Sequence, residues 1–79
     1  MTLADLLPGE SGIIQMVKCD RLVRERLADL GLLPGTPIRV QYRGPSGEPT
    51  AYWVRGSLLA LRRSTAENII MHPLGRVLA

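Results

Sequence analysis

Cys19 and His72 are the only cysteine and the only histidine of the sequence, so they are its only candidates for thiol-based catalysis. A thiol nucleophile needs a base held beside it, and one residue of each type gives no spacing that predicts such a pair. We interpret Cys19 as a small side chain filling a strand-to-helix corner, and His72, directly before Pro73, as a surface residue. The sequence therefore predicts no enzymatic activity.

Metal and cofactor sites are not indicated by the sequence either. Zinc sites need several Cys or His side chains at close spacing, and the seven carboxylates are dispersed along the chain without forming a cluster. The eight glycines match neither the phosphate-binding loop nor the dinucleotide-binding pattern. We expect no catalytic residue, no metal ligand and no cofactor, which leaves binding as the function to explain.

One main helix is predicted between Asp20 and Leu30. Asp20 is a good N-cap residue, and Gly31 can adopt the left-handed conformation that closes a last helical turn. Val23, Leu27 and Leu30 recur at i, i+4 and i+7, which places them on one apolar stripe. Arg21, Arg24 and Glu25 lie on other faces of this helix, and Arg21 and Glu25 have the spacing of a helical ion pair.

Short β-branched and alternating runs predict five strands. Ile38, Val40 and Tyr42 alternate with polar residues, which predicts a strand with these three side chains on its buried face. Because strands and helices do not alternate regularly, a small antiparallel barrel or sandwich is favoured, and a barrel would remove exposed sheet edges. The predicted strands are 12–17, 38–43, 50–54, 57–61 and 68–71, with helical turns at 3–6 and 62–67.

A hairpin supplies the first candidate surface. If Arg55 and Gly56 form a two-residue turn, Trp53 lies opposite Leu58, and alternation places this pair on the outward face of the sheet. An exposed apolar patch of this kind tends to mark an interface. The alternative is that the helix or the apolar residues of the C-terminal tail cover the pair, namely Leu74, Val77 and Leu78.

Length and charge set further bounds. The 79 residues predict a single domain over 1–79, with a core over about 3–71 and a tail over 72–79. The net charge is +3, but the arginines are spread along the chain, so we interpret them as solvated surface charges and expect no nucleic acid partner. The lone cysteine, the absence of signal-peptide features and the absence of an apolar run of about 18 residues predict a cytoplasmic protein without membrane insertion.

Three blocks of the sequence resemble the FeoA family in order and spacing. The longest is Leu27 to Val40, which contains the LGL and PGT segments before an alternating strand. A second block is resembled by Val54 to Gly56, Leu59 to Arg63 and Ala66 to Glu67, and the opening block by Leu6 to Gly12. The resemblance covers about residues 3–71. It implies an SH3-like β-barrel with one main helix after the first strand and a short helical turn before the last. It also implies a role in ferrous iron uptake through contact with the cytosolic part of the transporter FeoB.

The hairpin departs from the family pattern at three positions. Ser57 stands where a large aromatic residue is more usual, Leu58 where a polar or basic one is, and Trp53 where a charged one is. The outward face is therefore more apolar than the family implies. We expect Trp53 and Leu58 to bind the partner or a second copy of the chain, and the helix face with Arg21, Arg24 and Glu25 to be the second candidate.

Three other protein classes compete with this interpretation. An SH3-like domain of an iron-dependent repressor has a similar pattern but is expected to follow DNA-binding and dimerisation segments, which do not precede Met1 here. A small RNA-binding barrel predicts a contiguous arginine face and binding that weakens steeply with salt. A signalling-type SH3 module needs an aromatic-lined groove for proline-rich ligands, and the sequence has few aromatic residues.

Overall fold

A computed structural model describes residues 1–76 as one five-stranded antiparallel sheet with the strand order β4-β3-β2-β1-β5. A short 3-10 turn, Leu3–Asp5, precedes the sheet, and no helix in the described range is long and apolar enough to cross a membrane. The predicted mainly-β, SH3-like class is confirmed. The elements are β1 (Glu10–Val17), α1 (Arg21–Asp29), β2 (Pro37–Arg43), β3 (Thr50–Val54), β4 (Ser57–Leu61), α2 (Arg63–Ala66) and β5 (Ile69–Arg76).

The β3–β4 hairpin forms as predicted. Arg55 and Gly56 both have positive φ angles, of 48° and 79°, as the tight two-residue turn that matches strand twist requires. The turn sets the register, in which Trp53 pairs with Leu58. Arg55 lacks the conformational freedom of glycine, so this turn holds a non-glycine residue in a region that L-residues rarely adopt.

The predicted burial of Tyr42 is wrong. Ile38 and Val40 are buried as expected, but the pairing with β3 shifts between Val40 and Tyr42, so that Tyr42 lies opposite Ala51. The shift is a β-bulge at Gln41, and an extra residue reverses the alternation of every side chain after it. Tyr42 therefore points outward and is 54% exposed.

The sheet does not close into a complete barrel, contrary to the expectation that closure would remove its edges. β4 and β5 are the two edge strands. The N-terminus covers part of the β5 edge, because Thr2 bridges to Ile70 and the Met71 N–H donates to the Met1 carbonyl at 3.0 Å. β5 also runs on to Arg76, beyond the predicted end at Met71.

Helix α1 begins and ends where the sequence indicates. The Asp20 carboxylate accepts a hydrogen bond from the Val23 N–H at 3.0 Å, and Gly31 has a φ of +93°. The apolar stripe is not buried as a unit, however: Leu27 is 6% exposed, Val23 39% and Leu30 52%. Val23 and Leu30 lie about 40° and 60° around the helix from Leu27 on the same side, and the helix is rotated so that this side faces solvent.

The core is mainly aliphatic, although Tyr52 also belongs to it, and it receives side chains from nearly every element. The 3-10 turn contributes Leu3, and the turn after α1 contributes Leu32, at the position where the chain returns toward the sheet. On the other face of the sheet Tyr42, Trp53 and Leu58 are exposed, whereas Ser11 and Ala51 are buried. The largest fully buried side chains are Leu3, Ile14, Leu32, Ile38, Val40 and Ile69.

Candidate protein-interaction surface

One row of paired residues crosses four strands on the side of the sheet away from the core. Ser11 of β1 pairs with Arg39 of β2, Arg39 pairs with Trp53 of β3, and Trp53 pairs with Leu58 of β4. A neighbouring row joins Tyr42, Ala51 and Ala60. We call the surface formed by Arg39, Tyr42, Ala51, Trp53, Leu58 and Ala60 the outer face.

Trp53 and Leu58 form the apolar centre of the outer face. Trp53 is 42% exposed and Leu58 49% exposed. The hairpin turn makes Val54 and Ser57 the first hydrogen-bonded pair, so Trp53 and Leu58 are a non-hydrogen-bonded pair, whose side chains approach more closely. The sequence left open that the helix or the C-terminal tail covers this pair. Of the three tail residues named, Leu74 lines the groove described next, whereas Val77 and Leu78 lie outside the described residues.

A shallow groove of about 410 Å³ runs along one side of Trp53. Arg55 and Gly56 at the hairpin tip form one end of it, and Leu74, which is inserted at a register shift between β5 and β1, lies along its wall. Its lining residues are Ser11, Pro37, Ile38, Arg39, Trp53, Arg55, Gly56 and Leu74. The lining thus combines one aromatic residue, Trp53, with two arginines, Arg39 and Arg55.

The charge around the outer face is positive. Arg39 donates a hydrogen bond to Gln41 at 3.1 Å, and neither Arg39 nor Arg55 is in an ion pair within residues 1–76. The Arg55 stem lies close to Gly31, where a Cβ atom would stand 3.3 Å from Arg55 Cδ. No Asp or Glu belongs to the two rows of the outer face. This charge pattern suits a partner that carries carboxylates.

The second sequence-predicted surface lies on α1, separate from the outer face. Arg21 and Glu25 form the predicted ion pair, with 3.0 Å between Arg21 Nε and Glu25 Oε1, and both side chains are well exposed. Arg24, Glu25 and Ala28 border a mainly apolar groove of about 220 Å³ against the turn after the helix. An exposed ion pair contributes little to stability, so these charges are available to a partner.

A polar pocket of about 240 Å³ lies beneath the β2–β3 loop and was not predicted from the sequence. Burial raises the pKa of the Tyr52 hydroxyl above 10.0, and the hydrogen bond with Thr50 and the charges of Arg43 and Arg63 oppose that rise. Arg43 donates to the Leu6 carbonyl at 3.0 Å. These contacts hold the N-terminal turn against the sheet, so we assign the pocket a structural role.

Cys19 and His72 are not brought together into a site with a third ligand. Cys19 is partly buried against the core, and His72 is exposed beside Ile13 and Gln15 on the β1–β5 side of the sheet. Within residues 1–76, no three His, Cys, Asp or Glu side chains are grouped so that they could hold a metal ion.

Sequence reasoning identified the Trp53–Leu58 pair but missed three neighbours. Tyr42 was assigned to the core, and Arg39 and Arg55 were counted only as general surface charge. The two-residue turn could have indicated Arg55 as part of the patch, since the turn lies beside Trp53 in the chain. The alternating sequence pattern of β2 does not indicate the bulge that exposes Tyr42.

The fold and sequence are similar to those of solved FeoA proteins. The FeoA protein of Chlorobium tepidum is 38% identical over 94% of this chain and 70% of its own, with a TM-score of 0.88. The FeoA protein of Stenotrophomonas maltophilia, solved with zinc, is 30% identical over 91% of this chain and 89% of its own, with a TM-score of 0.80. It is described as a prokaryotic SH3 domain protein and discussed as a ferrous iron transport activating factor.

A manganese-dependent transcriptional repressor shares the fold alone, with 17% identity, a TM-score of 0.82 and coverage of 41% of its own chain. Among curated proteins, none is similar enough to count as a relative. The sequence pattern of the FeoA domain matches residues 1–73. That match spans nearly all of the described sheet, together with both helices, and so the chain belongs to the FeoA family, which is associated with ferrous iron transport.

Proposed function

We propose that this protein is a small cytoplasmic accessory protein of bacterial ferrous iron uptake, and that it acts by binding the cytosolic part of a FeoB-type transporter through the outer face. Family membership supports the association with ferrous iron transport. The exposed Trp53–Leu58 pair is the observation that carries the assignment of the surface. The proposal gives the protein no catalytic step and no bound cofactor.

The chemistry of the outer face suits a protein partner. Trp and Arg are enriched at the centres of protein interfaces, where a few buried side chains carry most of the binding energy. Here one exposed Trp lies between an exposed Leu on one strand and an Arg on the other. The neighbouring pair on this face, Ala51 and Ala60, has small side chains.

A second copy of the chain is the competing occupant of the outer face. Two copies would bring Arg39 and Arg55 of each close to those of the other, because both arginines line the groove that Trp53 also lines. Like charges facing each other disfavour that contact. The α1 face with Arg21, Arg24 and Glu25 is the second candidate for contact with the transporter.

The test is recovery of the transporter from detergent-solubilised bacterial membranes with the tagged chain as bait. We expect the wild-type chain to retain FeoB, Trp53→Ala to lose most of it, and Arg24→Ala to retain it. Recovery of RNA in place of the transporter would refute the proposal. Sedimentation velocity of the purified chain reports self-association, and a dimer that Trp53→Ala dissociates would assign the outer face to a second copy.

A further inference from the structure

β4 is an edge strand without the usual features that prevent further pairing. Exposed edges are normally protected by charges, proline, bulges or a covering segment. Ser57–Leu61 contains no charged residue and no proline, and its pairing with β3 is regular throughout. The other edge, β5, is by contrast partly covered by Met1 and Thr2.

The free hydrogen-bonding groups of this edge belong to Leu58 and Ala60. In an antiparallel pair, residues of the non-hydrogen-bonded pairs direct their N–H and C=O groups away from the partner strand. The pairs Trp53–Leu58 and Ala51–Ala60 are of this kind, given the two-residue turn. Neither residue makes another backbone hydrogen bond within residues 1–76. Two N–H and two C=O groups therefore point to solvent along the open edge.

Arginine flanks the edge at both ends. Arg55 lies two residues before β4 and Arg62 directly follows it, and neither forms an ion pair within the described residues. The strand between them is uncharged and presents Leu58 and Ala60 on the outer face. A complementary strand would thus have an apolar centre of about five residues, which span roughly 17 Å, and a carboxylate near each end.

We infer that β4 accepts, as a sixth strand of the sheet, an extended segment that has an apolar centre and an acidic residue near each end. This inference rests on the proposed function, in which the segment belongs to the transporter's cytosolic part. Main-chain hydrogen bonds to Leu58 and Ala60 supply the pairing, and side chains of the segment extend the Trp53–Leu58 row. Pairing of β4 with β4 of a second copy is disfavoured, because in the antiparallel arrangement Arg55 of each copy would approach Arg62 of the other.

Ala60→Pro is the central variant, because it removes one free N–H while leaving the hydrogen bonds to β3 intact, and proline is tolerated at such an edge position. Ala60→Ser is its matched control. Arg62→Glu reverses one flanking charge, and Arg26→Glu, on α1, is the control of equal net charge. We expect Ala60→Pro to weaken binding to the purified cytosolic part of FeoB about tenfold or more and Arg62→Glu severalfold at low salt. The two controls should bind as the wild type does.

If the wild-type chain binds and neither Ala60→Pro nor Arg62→Glu weakens this binding, the inference is overturned and the proposed function still stands. A second probe does not depend on the transporter: a synthetic peptide of alternating Val and Thr with Asp at both ends, compared with the same peptide carrying Lys at both ends. We expect only the Asp peptide to bind, to shift the amide NMR signals of Leu58 and Ala60, and to slow their hydrogen exchange. Equal effects of the two peptides, no effect of either, or shifts confined to α1 would refute strand addition at β4.

Discussion

Truncation of Leu27 should destabilise the protein far more than truncation of Leu30, although both belong to the apolar stripe of α1. Leu27 is 6% exposed and Leu30 52% exposed. Leu27→Ala removes three buried carbon groups, worth about 0.8 kcal/mol each, and leaves a cavity, so we expect a loss of about 2.5–3 kcal/mol. Leu30→Ala should cost about 0.5 kcal/mol or less, as is usual for surface substitutions.

The assay is thermal unfolding followed by far-ultraviolet circular dichroism. For a domain of this size, 1 kcal/mol shifts the Tm by about 4–8 °C, so Leu27→Ala should lower the Tm by about 10–24 °C and Leu30→Ala by only a few degrees. Alanine has a slightly higher helix propensity than leucine, which acts at Leu27 inside α1 but hardly at Leu30, its C-cap. This effect makes the expected difference between the two variants slightly smaller. Equal losses for the two variants would refute the orientation of α1 described above.

Three further predictions concern local structure. Asp20→Ala should cost about 1 kcal/mol in a urea titration, because the N–H of Val23 loses its acceptor, whereas Asp20→Ser should cost little. Gly56→Ala should lower the free energy of unfolding by about 1 kcal/mol, because the φ of Gly56 is +79°. Since the folded-state pKa of Tyr52 lies above 10.0, its contribution to stability is full below pH 10 and is lost as the pH rises through the folded-state pKa. Tyr52→Phe should therefore weaken the fall of stability above pH 10, and an unchanged fall would contradict the assignment.

The features predicted correctly are those with local causes. The N-cap at Asp20 and the stop at Gly31 follow from side-chain and backbone chemistry within one turn, and the structure places both as expected. The turn at Arg55–Gly56 likewise fixes the register of the whole hairpin, and with it the opposition of Trp53 and Leu58. The candidate site could be located from the sequence to that extent.

The features that were missed depend on tertiary packing. The bulge that turns Tyr42 outward is a feature of the pairing between β2 and β3, and alternation alone cannot show where it occurs. The stripe of α1 was found, but periodicity does not give the rotation of a helix against the sheet. β5 continues through Pro73 because an edge strand tolerates proline, whereas the sequence suggested that His72 and Pro73 end it.

The order of the strands, which the sequence does not show, determines which arginines lie beside the outer face. Arg39 is 14 residues from Trp53 in the chain, yet the β2–β3 pairing places the two side by side. Arg55 and Arg62 flank an edge strand, and nothing in the sequence shows which strand lies at the edge. The composition gave ten basic residues and a net charge of +3, while the sheet order shows where three of those basic residues lie relative to an apolar surface.

The most direct test of the central claim is calorimetric titration of the purified chain with the cytosolic part of FeoB, comparing Trp53→Ala with Leu30→Ala. Both residues are large, apolar and partly exposed, but only Trp53 lies on the outer face. Loss of a central Trp at an interface costs about 2 kcal/mol or more, so Trp53→Ala should raise the Kd about thirtyfold, while Leu30→Ala should change it less than twofold. Wild-type affinity of Trp53→Ala, or a larger loss for Leu30→Ala, would contradict the assignment of the outer face.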